Sequence, residues 1–148
     1  MEAASSILLV VMWGLTLYVF LKLPATIPIH YNGSGNVNAY GDKKTVLILP
    51  IIATVTFFGL KQLNKFPHLF NYMTKITEDN AEKQYRIATR ILRVLKLLIL
   101  LVFTAIILFT YLITIGATKG LGVWFVPITT GLFLIPAILS ITKALKAK

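Results

Sequence analysis

Four stretches of this chain carry no charged residue: Ala3–Leu21, Thr45–Leu60, Leu97–Thr118 and Gly120–Thr142. None shows the polar stripe that a helix in a water-soluble bundle keeps on its outer face. A helix rising ~1.5 Å per residue needs about 20 residues to cross a hydrocarbon layer about 30 Å thick. The first, third and fourth stretches have that length. The second has 16 residues before Lys61, so Leu63 and a snorkelling Lys61 complete it. A lysine at the middle of a span costs ~2.5–3.5 kcal/mol on insertion scales, which makes long charge-free runs informative. The pattern predicts an all-α membrane protein, one domain over residues 1–148, with four transmembrane helices near 3–22, 45–63, 78–116 and 122–143. Glu2 but no basic residue precedes the first run, and no small-x-small site follows it, so it reads as a retained helix.

The polar segments between these runs have their own patterns. In the loop 23–44, Pro24 and Pro28 bias the residues before them toward extended conformations. Ile27, Ile29 and Tyr31 alternate with Pro28, His30 and Asn32 as in a strand. Asn32-Gly33 and Gly35 then supply a reversal, and Asn36–Tyr40 runs back. A short hairpin-like loop between the first two helices is expected, with Tyr31 and Tyr40 at headgroup level. In the loop 61–96, Thr77 followed by Glu78 and Asp79 marks a helix start. No breaker follows, so the third helix extends two or three turns beyond the bilayer. Glycines in "GATKGLG" read as a tight reversal into the fourth helix and nothing more. Pro136 lies deep enough in that helix to kink it.

Composition agrees with lipid as the solvent. The chain is 57% hydrophobic, against about 45–50% for soluble domains, and its mean hydropathy is +0.80. The net charge of +10 is unevenly placed. Lys61–Lys96 holds eight basic residues and Lys143–Lys148 three, whereas Lys22, Lys43, Lys44 and Lys119 are the four on the opposite side. The positive-inside rule then puts both termini and the loop 61–96 in the cytoplasm. Anionic lipid headgroups are the expected counter-charge, and nucleic acid is not an expected partner. Lys83, Arg86, Arg90 and Arg93, spaced three, four and three, form a basic stripe on the extended third helix. It reads as a contact for headgroups or for an acidic partner.

Candidate chemistry is sparse. There is no cysteine, and His30 and His68 fall on opposite sides of the membrane, so no metal site or cofactor is expected. Nor is a nucleophile with a base, or a pair of carboxylates, within reach on one side. No catalytic residue is assigned, and the chain reads as a non-enzyme. The polar residues of the outward loop, His30, Tyr31, Asn32, Asn36, Asp42 and Lys43, form the candidate ligand or partner site. Each also has a structural reading. His30 can bond a loop carbonyl or the Asn32 side chain, Asn32 can build the turn, and Asp42 can pair with Lys43 or Lys44 or cap the second helix.

The string "LPxxIPxHYNxxGxxxxYGxK", carried by Leu23, Pro24, Ile27, Pro28, His30, Tyr31, Asn32, Gly35, Tyr40, Gly41 and Lys43, resembles a family signature. The family is a bacterial multi-pass one, the domain of unknown function 1648, which also forms the N-terminal part of Sdp-type immunity proteins. Asn38 departs from it where many relatives carry an acid. The resemblance implies a bacterial cytoplasmic (inner) membrane location. It also implies immunity- or signalling-type recognition of a peptide or membrane-protein partner through the outer loop. Two alternatives stand beside that reading. One is a small transporter or channel component, with Thr54, Thr56, Thr104, Thr129 and Thr130 lining a polar path. The other is an accessory subunit or homo-oligomer held by its helix faces.

Overall fold

The structure, a computed structural model, describes residues 1–147; Lys148 of the single domain expected over 1–148 lies outside the described residues. Helix α1 spans Glu2–Lys22. An antiparallel hairpin follows, β1 at Thr26–Tyr31 and β2 at Val37–Asp42. A 3₁₀ turn over Lys43–Leu47 leads into α2, Ile48–Leu63. Then come α3, Glu78–Thr114, and α4, Phe125–Lys146. All four helical segments, counting Lys43–Leu63 as one, are long and apolar enough to cross a membrane. The protein is an all-α multi-pass membrane protein carrying one small two-stranded element. Four spans place the hairpin and the α3–α4 turn on one side and both chain ends on the other.

Local chemistry sets the element boundaries. Asp42 starts the 3₁₀ turn, its Oδ1 accepting from the Lys44 backbone N–H at 2.7 Å. Pro50 is the third residue of α2, within the first turn, where a missing N–H removes no helical bond. The helical start at Asn80 is anchored both ways. Its Oδ1 accepts from the Thr77 N–H at 2.9 Å and its Nδ2 donates to the Lys75 carbonyl at 3.0 Å. At 37 residues, α3 is about 55 Å long and reaches well past α1 and α2. Pro136 is accommodated inside α4, which runs on from Phe125 to Lys146.

Helix α3 is the hub, touching the other three, and α1 and α2 also pack on each other. The core follows this three-helix seam: Met12, Val19, Ala53, Phe57, Leu100 and Ile107, closed on the hairpin side by Leu23, Ile27 and Val46. Polar groups on the seam are satisfied within it. Thr16 Oγ1 donates to the Met12 carbonyl at 2.7 Å, and Trp13 Nε1 donates to Thr54 Oγ1 at 2.9 Å. Thr54, Thr104 and Thr129 each donate to the carbonyl four residues earlier, and Thr54 Oγ1 at the same time joins α2 to α1 through Trp13.

Two side chains on the side of the chain ends were not singled out by the sequence. Lys96 is 1% exposed. Its Nζ lies 2.6 Å from Glu2 Oε2 and 4.7 Å from the Phe57 ring centroid. The last cation before a charge-free run reads as a loop residue; here it is buried against α1. Gln84, also 1% exposed, directs Nε2 at Thr74 Oγ1 and at the carbonyls of Ala144 and Ala147, at 3.0, 2.8 and 3.1 Å. One amide thereby ties the loop before α3 to the end of α4. Gln84→Leu is expected to remove this tie and leave the Ala147 carbonyl without the amide, at a cost of about 1–2 kcal/mol. Thermal unfolding in detergent measures this as a lowered midpoint.

Candidate functional site

The hairpin is tightly built, and most of its candidate residues are engaged in building it. Asn32 organises the reversal. Its Oδ1 accepts from the backbone N–H groups of Ser34 and Asn36, both at 3.0 Å, and its carbonyl accepts from Gly35 at 2.9 Å. Asp42 caps the turn into α2, and Lys43 places Nζ 4.8 Å from the Phe20 ring centroid. Tyr31 reaches onto α3: its hydroxyl lies 2.8 Å from Thr110 Oγ1, in the last turns of that helix. Burial pushes its phenol pKa above the ordinary value of 10, against the Thr110 hydrogen bond that lowers it.

His30 differs from both of the partners the sequence offered it. Its Nδ1 lies 2.6 Å from Asn38 Oδ1. The contact joins the two strands through their side chains and leaves Nε2 free of a protein partner among the described residues. The pairing register slips on either side of His30. That slip also breaks the simple alternation, with Ile27 and Pro28 both buried while Ile29 and His30 are exposed.

The hairpin tip is locked onto the α3–α4 turn. Leu121 N–H donates to the Gly35 carbonyl at 2.8 Å, and Asn36 forms a bridge with Gly120. Gly35 has φ +77°, and a β-carbon on it would overlap the Gly122 backbone; one on Gly120 would overlap the Gly35 carbonyl. The reversal "GATKGLG" is therefore half of a backbone-to-backbone contact. A glycine repeated across two distant loops is the one sequence signal that could have suggested it.

Beneath this roof lies a cleft of about 540 Å³. Its walls are apolar: Ile27 and Ile29 of β1, Val46 of the 3₁₀ turn, Leu49 of α2, Ile106 of α3, Leu121 of the α3–α4 turn, and Phe125 and Val126 at the start of α4. Polar groups, from His30, Tyr31, Asn32 and Thr110, cluster under the hairpin. An apolar cleft with a few fixed polar groups is the usual form of a ligand site.

The basic stripe lies on the far side, near the chain ends. Lys83, Arg86 and Arg90 are exposed, and Arg86 pairs with Glu82. Arg93 is half-buried and folds onto Thr89, its Nε donating to the carbonyl at 3.1 Å and Nη2 to Oγ1 at 3.2 Å. Among the described residues, no three His, Cys, Asp or Glu side chains are grouped so as to hold a metal ion.

Four spanning helices and a docked hairpin define the class, a multi-pass helical membrane protein with one ordered extramembrane element. Residues 7–54 match the family described as Domain of unknown function (DUF1648), the family that the hairpin motif resembles. The matched segment covers most of α1, the hairpin and the first turns of α2. A protein of Archaeoglobus fulgidus described as uncharacterized is 27% identical over 73 residues, covering 44% of this chain and 40% of that protein. This chain thus matches well under half of that relative's length. No solved structure matches the chain.

Proposed function

We propose that the chain is a non-enzymatic recognition module of the bacterial cytoplasmic membrane, of immunity or signalling type. Its hairpin-roofed cleft receives an apolar segment of a peptide or membrane-protein partner. The observation that carries this reading is the cleft itself: apolar walls and polar groups gathered under an ordered roof. His30 Nε2 is the ring nitrogen left to hydrogen-bond a partner, while Tyr31, Asn32, Asp42 and Lys43 are engaged in holding the roof. Both termini are cytoplasmic in this reading, because basic residues are concentrated on their side. The hairpin then faces outward, where a secreted or neighbouring partner meets it.

A photo-crosslinking amino acid at Ile29 or Val126, both cleft-lining, tests this in native membranes. Proteinaceous adducts are expected at these positions and not at Leu134, an exposed residue of α4 outside the cleft. His30→Ala is expected to lower the adduct yield about five-fold, the equivalent of one hydrogen bond of ~1 kcal/mol. Lipid adducts alone at Ile29 and Val126 would overturn the reading.

A further inference from the structure

A second cleft, of about 380 Å³, opens on the side of the chain ends between α1, α2 and α3. Glu2 contributes from α1, Lys61, Asn64 and Lys65 from the end of α2 and just beyond it, and Thr89 and Arg93 from α3. Three cations, from α2, the turn just after it and α3, therefore face one space. The single carboxylate there, Glu2, is engaged by Lys96 at 2.6 Å. Among the described residues, Lys61, Lys65 and Arg93 have no carboxylate partner within 4.0 Å, since the two ion pairs are Arg86–Glu82 and Lys96–Glu2. The cleft is left with a net excess of positive charge.

Two details make this more than a crowded surface. Arg93 is held in advance, its Nε and Nη2 bonded to Thr89, which leaves Nη1 and one Nη2 hydrogen to grip an oxyanion. Asn64 has a side-chain oxygen shielded from solvent and without a partner. Side-chain amide oxygen and nitrogen positions are interchangeable by rotation, so the same group can present N–H donors to an anionic oxygen instead. Lys61 and Leu63 also mark where the second span ends, which sets the cleft at the depth of lipid headgroups.

We propose that this cleft is a specific site for the phosphate of an anionic phospholipid headgroup, held by Lys61, Lys65 and Arg93. Phosphate matches the fork of an arginine flanked by point charges. A lipid supplies it at this depth at a local concentration no soluble anion reaches. The site lies across the membrane from the hairpin cleft and does not depend on what that cleft binds.

Native mass spectrometry of the full chain, released from detergent micelles doped with phosphatidylcholine and a minor share of phosphatidylglycerol, reads the outcome. Wild type is expected to retain one phosphatidylglycerol. The triple variant Lys61→Gln, Lys65→Gln, Arg93→Gln is expected to bind it about ten-fold more weakly or worse. A variant that removes three charges elsewhere on the same side, Lys75→Gln, Lys143→Gln, Lys146→Gln, is expected to retain it. Equal loss in both triple variants would reduce the effect to diffuse attraction and overturn the proposal. So would displacement of the lipid by millimolar inorganic phosphate, which would make the ligand a soluble anion. Should the first triple variant fail to fold, Lys61→Gln alone, at an exposed residue, keeps the comparison, and unchanged retention there counts against the site.

Discussion

Replacing Glu2 with alanine is expected to destabilise the bundle by about 3 kcal/mol, the low end of the ~3–5 kcal/mol for breaking a buried ion pair from one side. The cost arises on the partner. Lys96 is 1% exposed and packed over Phe57, so without Glu2 its ammonium is left in the seam with no anion. Lys96→Met is expected to cost about 1 kcal/mol or less. It fills the same volume, and the abandoned Glu2 side chain is already 46% exposed and rehydrates in place. The double variant Glu2→Ala, Lys96→Met should then be more stable than Glu2→Ala alone. Thermal unfolding in one detergent across the four proteins measures the coupling. A neutral Glu2→Ala would show that Lys96 reaches solvent by another route and that the pair does not hold α1 to α3.

Gly35→Ala is the second large effect expected, at about 2–3 kcal/mol. Left-handed backbone costs an L-residue ~1–2 kcal/mol by itself, and Gly35 sits at φ +77°. The added β-carbon would also meet the Gly122 backbone, which cannot rotate aside as a side chain would. The lock opens and the Leu121-to-Gly35 hydrogen bond goes with it. Gly33→Ala, two residues away, is the control: its φ is not left-handed and a β-carbon there meets nothing within 4 Å. Unfolding midpoints, with limited proteolysis of the loop 23–44, separate the two. Gly35→Ala should lower the midpoint and expose the loop to cleavage, whereas Gly33→Ala should leave both near wild type.

These cases show what could and could not be read from residue order. The four spans were legible because hydrocarbon tolerates no charge over their length. The hairpin was legible because proline, asparagine and glycine restrict the backbone locally, and the Asp42 cap was one of the alternatives its position offered. Contacts between segments far apart in sequence were not. Nothing in the residues around Tyr31 points to Thr110, seventy-nine residues on. His30 was offered Asn32, a near neighbour, but a register slip sets it beside Asn38. Lys96 and Gln84 look like surface residues of an amphipathic helix end, and only the arrival of α1 and of the α4 terminus buries them. The site residues divide similarly. Their position on one loop was visible, but the cleft beneath is made largely by apolar residues of three other elements.

No residue of α4 is buried, yet the helix is fastened at both extremities. Leu121 engages Gly35 just before it begins, and Gln84 takes the carbonyls of Ala144 and Ala147 at its finish. Such a segment is metered. One residue added or removed between the fasteners would shift one end by ~1.5 Å and turn it by about 100°, so the two catches could no longer close together. Helix α4 therefore serves as a ruler, set against the length of α3 between its hairpin end and the Gln84 amide.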